Sequence, residues 1–104
     1  MANQTRPLET QATVTRWAED TFGPVTDQSV LVTRAMTEMD ELLEAVQNND
    51  IKEAGKEAAD IVILLWRLME INGLNLTEEI TQKMQENRSR TWAAKGDGTG
   101  KHIA

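Results

Sequence analysis

The chain has 104 residues and a mass of 11.7 kDa, which allows one hydrophobic core and excludes two independent ones. A formal charge of −6 and a pI near 4.7 exclude nucleic acid polymers and anionic membranes as partners, since both are held by a basic face that displaces counterions. No cysteine is present, so disulfide staples, thiolate zinc sites and thiol nucleophiles are excluded as well.

The opening stretch MANQTRPLETQ has no apolar segment of signal-peptide length. A first helix is predicted from about Thr10 to Thr21, with Val14, Trp17 and Ala18 on one face, and Gly23 and Pro24 end it. A second begins after Thr26 or Asp27 and runs to about Val46, because Leu31, Val32, Ala35, Met36, Met39, Leu42, Leu43 and Val46 recur at helical spacing. QNND reads as a short turn whose Asp50 caps the next helix.

The third helix, about Ile51 to Asn72, contains AADIVILLWRLMEI. Its β-branched residues suggest a strand, but no breaker interrupts the stretch and it is too long for one. Apolar on nearly every side, it should be the central helix, with Gly73 suited to its C-terminal cap. A fourth helix starts at Asn75 or Thr77, with Glu78 and Glu79 in its first turn and Lys83, Arg88 and Arg90 toward its end, as the helix dipole favours.

Short connections make consecutive helices antiparallel neighbours, so the expected fold is an all-α antiparallel bundle of about four helices. It forms a single helical domain over residues 1–92, and 93–104 is expected to be a mobile Gly-rich tail. A core this small without disulfides gains stability by association, and a homodimer or homotetramer joined through helix faces is expected. The longest apolar run, IVILLW, is far short of the ~20 residues of a membrane span, and a soluble cytoplasmic protein is expected.

The informative anomaly lies in the second and third helices. On a helical wheel Glu38 falls beside Leu31, Leu42 and Ala45, with Glu41 at the margin of that face. Glu57 falls among Ile61, Leu64 and Leu68, with Asp60 on the flank. In an antiparallel hairpin centred near Asn49, residues equidistant from the turn stand at one height, which pairs Glu38 with Asp60 and Glu41 with Glu57. Four facing carboxylates repel strongly or give up charge unless a cation joins them. Oxygen-only ligation with no histidine nearby selects a hard divalent ion, Mg²⁺ first and Mn²⁺ as substitute.

The competing reading is an ordinary solvated acidic face, since Asp50 with Glu53 and Glu41 with Glu44 show the same spacing without an assigned role. The fourth helix favours a site. Its apolar stripe Leu76, Ile80, Met84 continues into Lys83, Asn87 and Arg90, and a metal on one wall with cations on another suits a phosphate chain.

TEMDELLEAV, KEAADIVILLW and GLNLTEEITQKMQENRSRTW together resemble the MazG-like family of all-α nucleoside triphosphate pyrophosphohydrolases. That family's pattern is E-x-x-E, a spacer, E-x-x-D, and a helix bearing Lys and Asn followed by arginine. The resemblance covers roughly residues 14–92. It implies that Glu38, Glu41, Glu57 and Asp60 form the catalytic metal site, and that Lys83, Asn87 and Arg90 contact phosphate or sugar. It also implies Mg²⁺-dependent cleavage of a (d)NTP between its α- and β-phosphates in a pool-sanitising or pool-adjusting role. Base and sugar preference do not follow, because the superfamily also includes dUTPases and phosphoribosyl-ATP pyrophosphohydrolases. Asp40 departs from the pattern, standing where the family often has a small residue.

Trp17 is a candidate stacking surface for a nucleobase, Trp66 a weaker one, and core packing is the ordinary role of both. Trp92 is a candidate interface residue. GDGTGKH fails as a phosphate loop, because Lys95 and His102 stand where Gly and Ser or Thr are required and no strand precedes it. His102 is expected to be solvated. A non-catalytic oligomeric module with an acidic face is the alternative function, while a ferritin-like dimetal bundle wants E-x-x-H pairs that the core lacks.

Overall fold

The structure, a computed structural model, describes residues 6–104. Four helices follow one another, α1 (Gln11–Phe22), α2 (Ser29–Gln47), α3 (Ile51–Ile71) and α4 (Leu76–Ser89), and two short strands close the chain, β1 (Trp92–Ala94) and β2 (Gly100–His102).

Each helix boundary has a local cause. Thr10 caps α1 through a capping box with Thr13: the Thr13 amide donates to Thr10 Oγ1 at 3.1 Å and the Thr10 amide to Thr13 Oγ1 at 2.8 Å. Gly23, with φ 84°, ends it. The second helix starts slightly later than the sequence suggests, because Asp27 accepts from the Ser29 amide at 3.0 Å and from its hydroxyl at 2.7 Å, forming a turn that precedes α2. Those two bonds hold the Asp27 carboxyl below its ordinary range.

The α2–α3 connection decides where the acidic residues meet. Asn49 takes a left-handed conformation, φ 57°, while its amide donates to the Val46 carbonyl and the Asp50 amide to the Ala45 carbonyl, at 3.1 and 2.8 Å. Asp50 Oδ1 then accepts from the Glu53 amide at 3.1 Å, so one residue closes α2 and caps α3. The same double bond pattern ends α3, where Gly73 and Leu74 donate to Glu70 and Met69 and Gly73 has φ 69°. Asn75 caps α4 by accepting from Glu78, at 3.0 Å.

The antiparallel pair α2–α3 is the body of the fold, α1 lies along α3, and α4 packs only sparsely on α3. Val14, Ala18, Leu31, Ala45, Ile61 and Leu64 form the buried apolar core. Gln11 fastens α1 to the α3–α4 turn: its Nε2 donates to Glu70 Oε1 and to the Leu74 carbonyl, both at 2.8 Å, and its Oε1 accepts from the Leu76 amide at 2.9 Å. Among the described residues, no helix is long and apolar enough to cross a membrane.

The tail corrects an expectation. Residues 92–102 form an antiparallel hairpin, with Trp92 opposite His102 and Ala94 opposite Gly100, in place of a mobile segment. Gly96 and Gly98 take φ of 94° and 93°, and Asp97 between them accepts from the Thr99 amide and hydroxyl, at 2.9 and 2.7 Å. Glycines thus supply the positive φ that a tight loop needs, and the Asx turn fixes it. The His102 ring lies 5.6 Å from that of Trp92, so it packs on an aromatic neighbour in the hairpin.

Candidate active site

The turn at Asn49 sets α2 against α3 so that their acidic faces converge. Glu38, Glu41 and Glu57 each bring a carboxylate oxygen within 4.8 Å of the others, close enough to share one ion. Glu57 is the innermost, only 7% exposed. It is hydrogen-bonded to the carboxyl of Glu38 and then to that of Glu53, it is buried, and the charges of Glu41 and Glu38 face it. These influences push its pKa up from 4.5 to about 8. A buried acid with only other acids for company is the arrangement a cation relieves, and the oxygen-only donor set fits a hard divalent ion.

The remaining sequence candidates are distributed around this centre. Asp60, one turn beyond Glu57 on α3, is exposed and lies outside the three-carboxylate group. It lines a neighbouring cavity of about 320 Å³ that also includes Glu38, Trp17, Phe22, Arg34 and Arg67. On the other side, a cavity of about 210 Å³ is walled by Glu41, Glu57, Glu44, Glu53 and Asp50. The centre therefore opens on one flank to aromatic and cationic groups and on the other to further acids.

Lys83, Asn87 and Arg90 line neither of these cavities. Lys83 and Arg90 both pair with Glu86, and no residue of α4 is buried. Asn87 Oδ1 is enclosed without a hydrogen-bond partner, and the Trp92 indole donates to the Asn87 carbonyl at 2.8 Å. Trp92 thus closes the C-terminal end of α4, and Trp66 is half-buried on α3.

Three wall residues were missed from sequence: Phe22, Arg34 and Arg67. A signal existed for the arginines. Arg67 interrupts the apolar run IVILLWRLMEI on the flank that carries Asp60, and Arg34 lies on the far side of Glu38 from Leu31, so each is a charge beside an inward face.

Comparison with known proteins bears directly on this site. The dATP/dGTP pyrophosphohydrolase family matches residues 10–104. A dATP/dGTP diphosphohydrolase of Cyanophage S-2L is 30% identical over 95 residues, which cover 91% of this chain and 86% of that protein. Another from Salmonella phage PMBT28 is 27% identical over 95 residues, 91% of this chain but only 31% of that longer protein. A solved structure, the Cyanophage S-2L MazG-like pyrophosphohydrolase bound to dGDP and three catalytic Mn²⁺ ions per active site, is similar with a TM-score of 0.71 and 28% identity over 90% of this chain and 93% of that one. The chain described here belongs to the dATP/dGTP pyrophosphohydrolase family, and it is a MazG-like nucleotide pyrophosphohydrolase of all-α fold.

Proposed function

We propose that the chain hydrolyses purine deoxynucleoside triphosphates, dATP and dGTP, to the monophosphate and pyrophosphate, using Mg²⁺ or Mn²⁺ held by Glu38, Glu41 and Glu57, with Asp60 completing the set. The observation that carries this reading is the burial of Glu57 against carboxylates rather than cations. The names of the phage relatives and the dGDP and Mn²⁺ of the structural neighbour support the substrate and the ions. Bound divalent ions would neutralise charge on the phosphate oxygens.

In the reaction, the oxygen of a water bonds to the α-phosphorus as the bridge to the β-phosphate breaks, and pyrophosphate departs with the bond's electrons. The water's proton passes to a carboxylate of the cluster or to solvent. Glu57 must enter this site ionised, so it surrenders a proton when the ion binds. The nucleoside end of the substrate occupies the cavity that shares Glu38, with Trp17 on its wall.

Lys83, Asn87 and Arg90 are proposed to hold phosphate in an assembly of at least two copies, where α4 of one chain reaches another. The assembly is supported by the shape of a single chain. Its radius of gyration is 16.9 Å, against about 13 Å for a compact domain near 100 residues. Its accessible surface is 8077 Å², against roughly 5900 Å² expected at this mass. Along α2, Val32, Met36, Met39, Leu43 and Val46 are exposed at alternating spacings of four and three, the seam a second helix fills.

Incubation of the pure protein with a panel of nucleotides and either ion, followed by product separation, tests the activity. Monophosphate and pyrophosphate from dGTP and dATP are expected, and none from any nucleotide would overturn it. Light scattering tests the assembly, where the wild type should exceed 11.7 kDa at least twofold and Leu43→Glu should shift it toward that mass.

A further inference from the structure

Arg34 and Arg67 both line the cavity beside Glu38, and neither forms a salt bridge among the described residues. Arg67 has its Nε enclosed and without a hydrogen-bond partner. Its guanidinium carbon stands 5.8 Å from the centre of the Phe22 ring, and Phe22 meets Trp17 edge to face at 5.5 Å. In a chain of net charge −6, a half-buried arginine whose Nε is enclosed without a partner is uncommon, since a buried donor left unpaired is destabilising. Both aromatic rings are more than half exposed, which leaves their surfaces open toward the same space.

Position along α3 separates the possible roles of this arginine. Arg67 is ten residues beyond Glu57, about 15 Å along the helix axis. Its side chain leans back toward the N-terminal end of the helix, and it lines the cavity that Glu38 and Asp60 also line. It therefore stands at the nucleoside end of a substrate whose phosphates reach Glu38, Glu41 and Glu57, and away from the phosphate end. Two acceptors side by side on a planar ring match the paired donors of a guanidinium, and among nucleobases the O6 and N7 edge of guanine offers them. Adenine presents an amino donor beside N7, and cytosine presents an amino donor on the corresponding edge.

We infer that Arg67 is the base-reading residue of this chain: it donates to O6 and N7 of a guanine seated against the Trp17 and Phe22 rings, so that guanine nucleotides are preferred over adenine and pyrimidine ones. This rests on the pyrophosphohydrolase reading of the carboxylate centre, and it adds a basis for choosing among substrates that the centre itself does not provide.

The test compares kcat/KM for dGTP, 7-deaza-dGTP, dATP and dCTP in the wild type and in Arg67→Gln and Arg67→Lys. In the wild type, replacing N7 by carbon should lower kcat/KM on the order of tenfold, since one arm of the fork loses its acceptor. In Arg67→Gln the ratio of dGTP to 7-deaza-dGTP should fall close to one, and the preference for dGTP over dCTP should shrink by roughly ten- to a hundredfold. Arg67→Lys keeps the charge but not the fork, and should lose most of the same discrimination. A wild-type ratio near one for the 7-deaza analogue would overturn the inference without any variant, even if Arg67→Gln fails to fold. A uniform fall across all four nucleotides, with ratios preserved, would make Arg67 a phosphate ligand and overturn it too. Absence of turnover on every nucleotide by the wild type would instead defeat the hydrolase reading on which it rests.

Discussion

Raising the pH from 6 to 8 should tighten the binding of Mg²⁺ to this protein roughly fifty-fold, because one proton must leave before the ion can enter. The proton belongs to the Glu57 cluster, whose hydrogen bonds to Glu38 and Glu53, burial, and facing charges raise the Glu57 pKa from 4.5 to about 8. With that value, roughly one site in a hundred is ionised at pH 6 and about half at pH 8, and apparent affinity follows the ionised fraction. Between pH 8 and 9 the gain should be less than about twofold. Titration calorimetry in two buffers of different ionisation enthalpy measures both quantities. Close to one proton should be released per binding event at pH 6 and about half a proton at pH 8. Glu57→Gln replaces the protonated acid by a neutral group of the same shape, so its residual ion affinity should be weaker and nearly independent of pH over this range. An affinity that moves less than about threefold between pH 6 and 8, with little proton release, would refute the reasoning, because the cluster would then already be ionised at neutrality.

Three further outcomes follow from the same geometry. Without metal, the unfolded chain releases the Glu57 proton near 4.5 and the folded chain near 8, so stability from this group is fully present below pH 4.5 and declines as pH rises to 8. Thermal melts in chelator should therefore show the difference in Tm between wild type and Glu57→Gln moving in favour of the variant across that window, and a constant difference would count against it. Gln11→Ala removes three hydrogen bonds that join α1 to the α3–α4 turn, worth about 3 kcal/mol together, and a Tm drop of roughly 15 °C is expected by circular dichroism. Asn49→Val puts a β-branched residue at φ 57°, costs about 1–2 kcal/mol, and should weaken ion binding as well, since that turn sets the height of Glu41 against Glu57; unchanged metal affinity would dissociate the turn from the site.

The helices and the acidic centre were legible because the signals that encode them are local. Asp50 and Asn75 announce caps by residue type, and both serve as caps. The pairing of Glu41 with Glu57 needed only a short turn and the constant rise of a helix, and the structure brings those two carboxylates together with Glu38. The position of Asp60 was harder to read. It shares a height with Glu38 in the hairpin, yet it lies on the flank of α3, where about 100° of rotation per residue turns its carboxyl toward the α1 side. Equal height along two helices does not secure equal facing.

What escaped the sequence reading depends on contacts between distant segments. The hairpin of residues 92–102 looks like a loose tail in the sequence because its strands are only three residues long and exposed, too short for a period of two to register. Its turn chemistry, Gly96-Asp97-Gly98, was nevertheless in plain view. The cavity wall formed by Phe22, Arg34 and Arg67 draws one residue from each of α1, α2 and α3, and no window along the chain contains all three. Once α1 lies along α3, Arg67 Nε is enclosed without a partner, and Glu38, Asp60, the Trp17 and Phe22 rings and both arginines come to line one cavity.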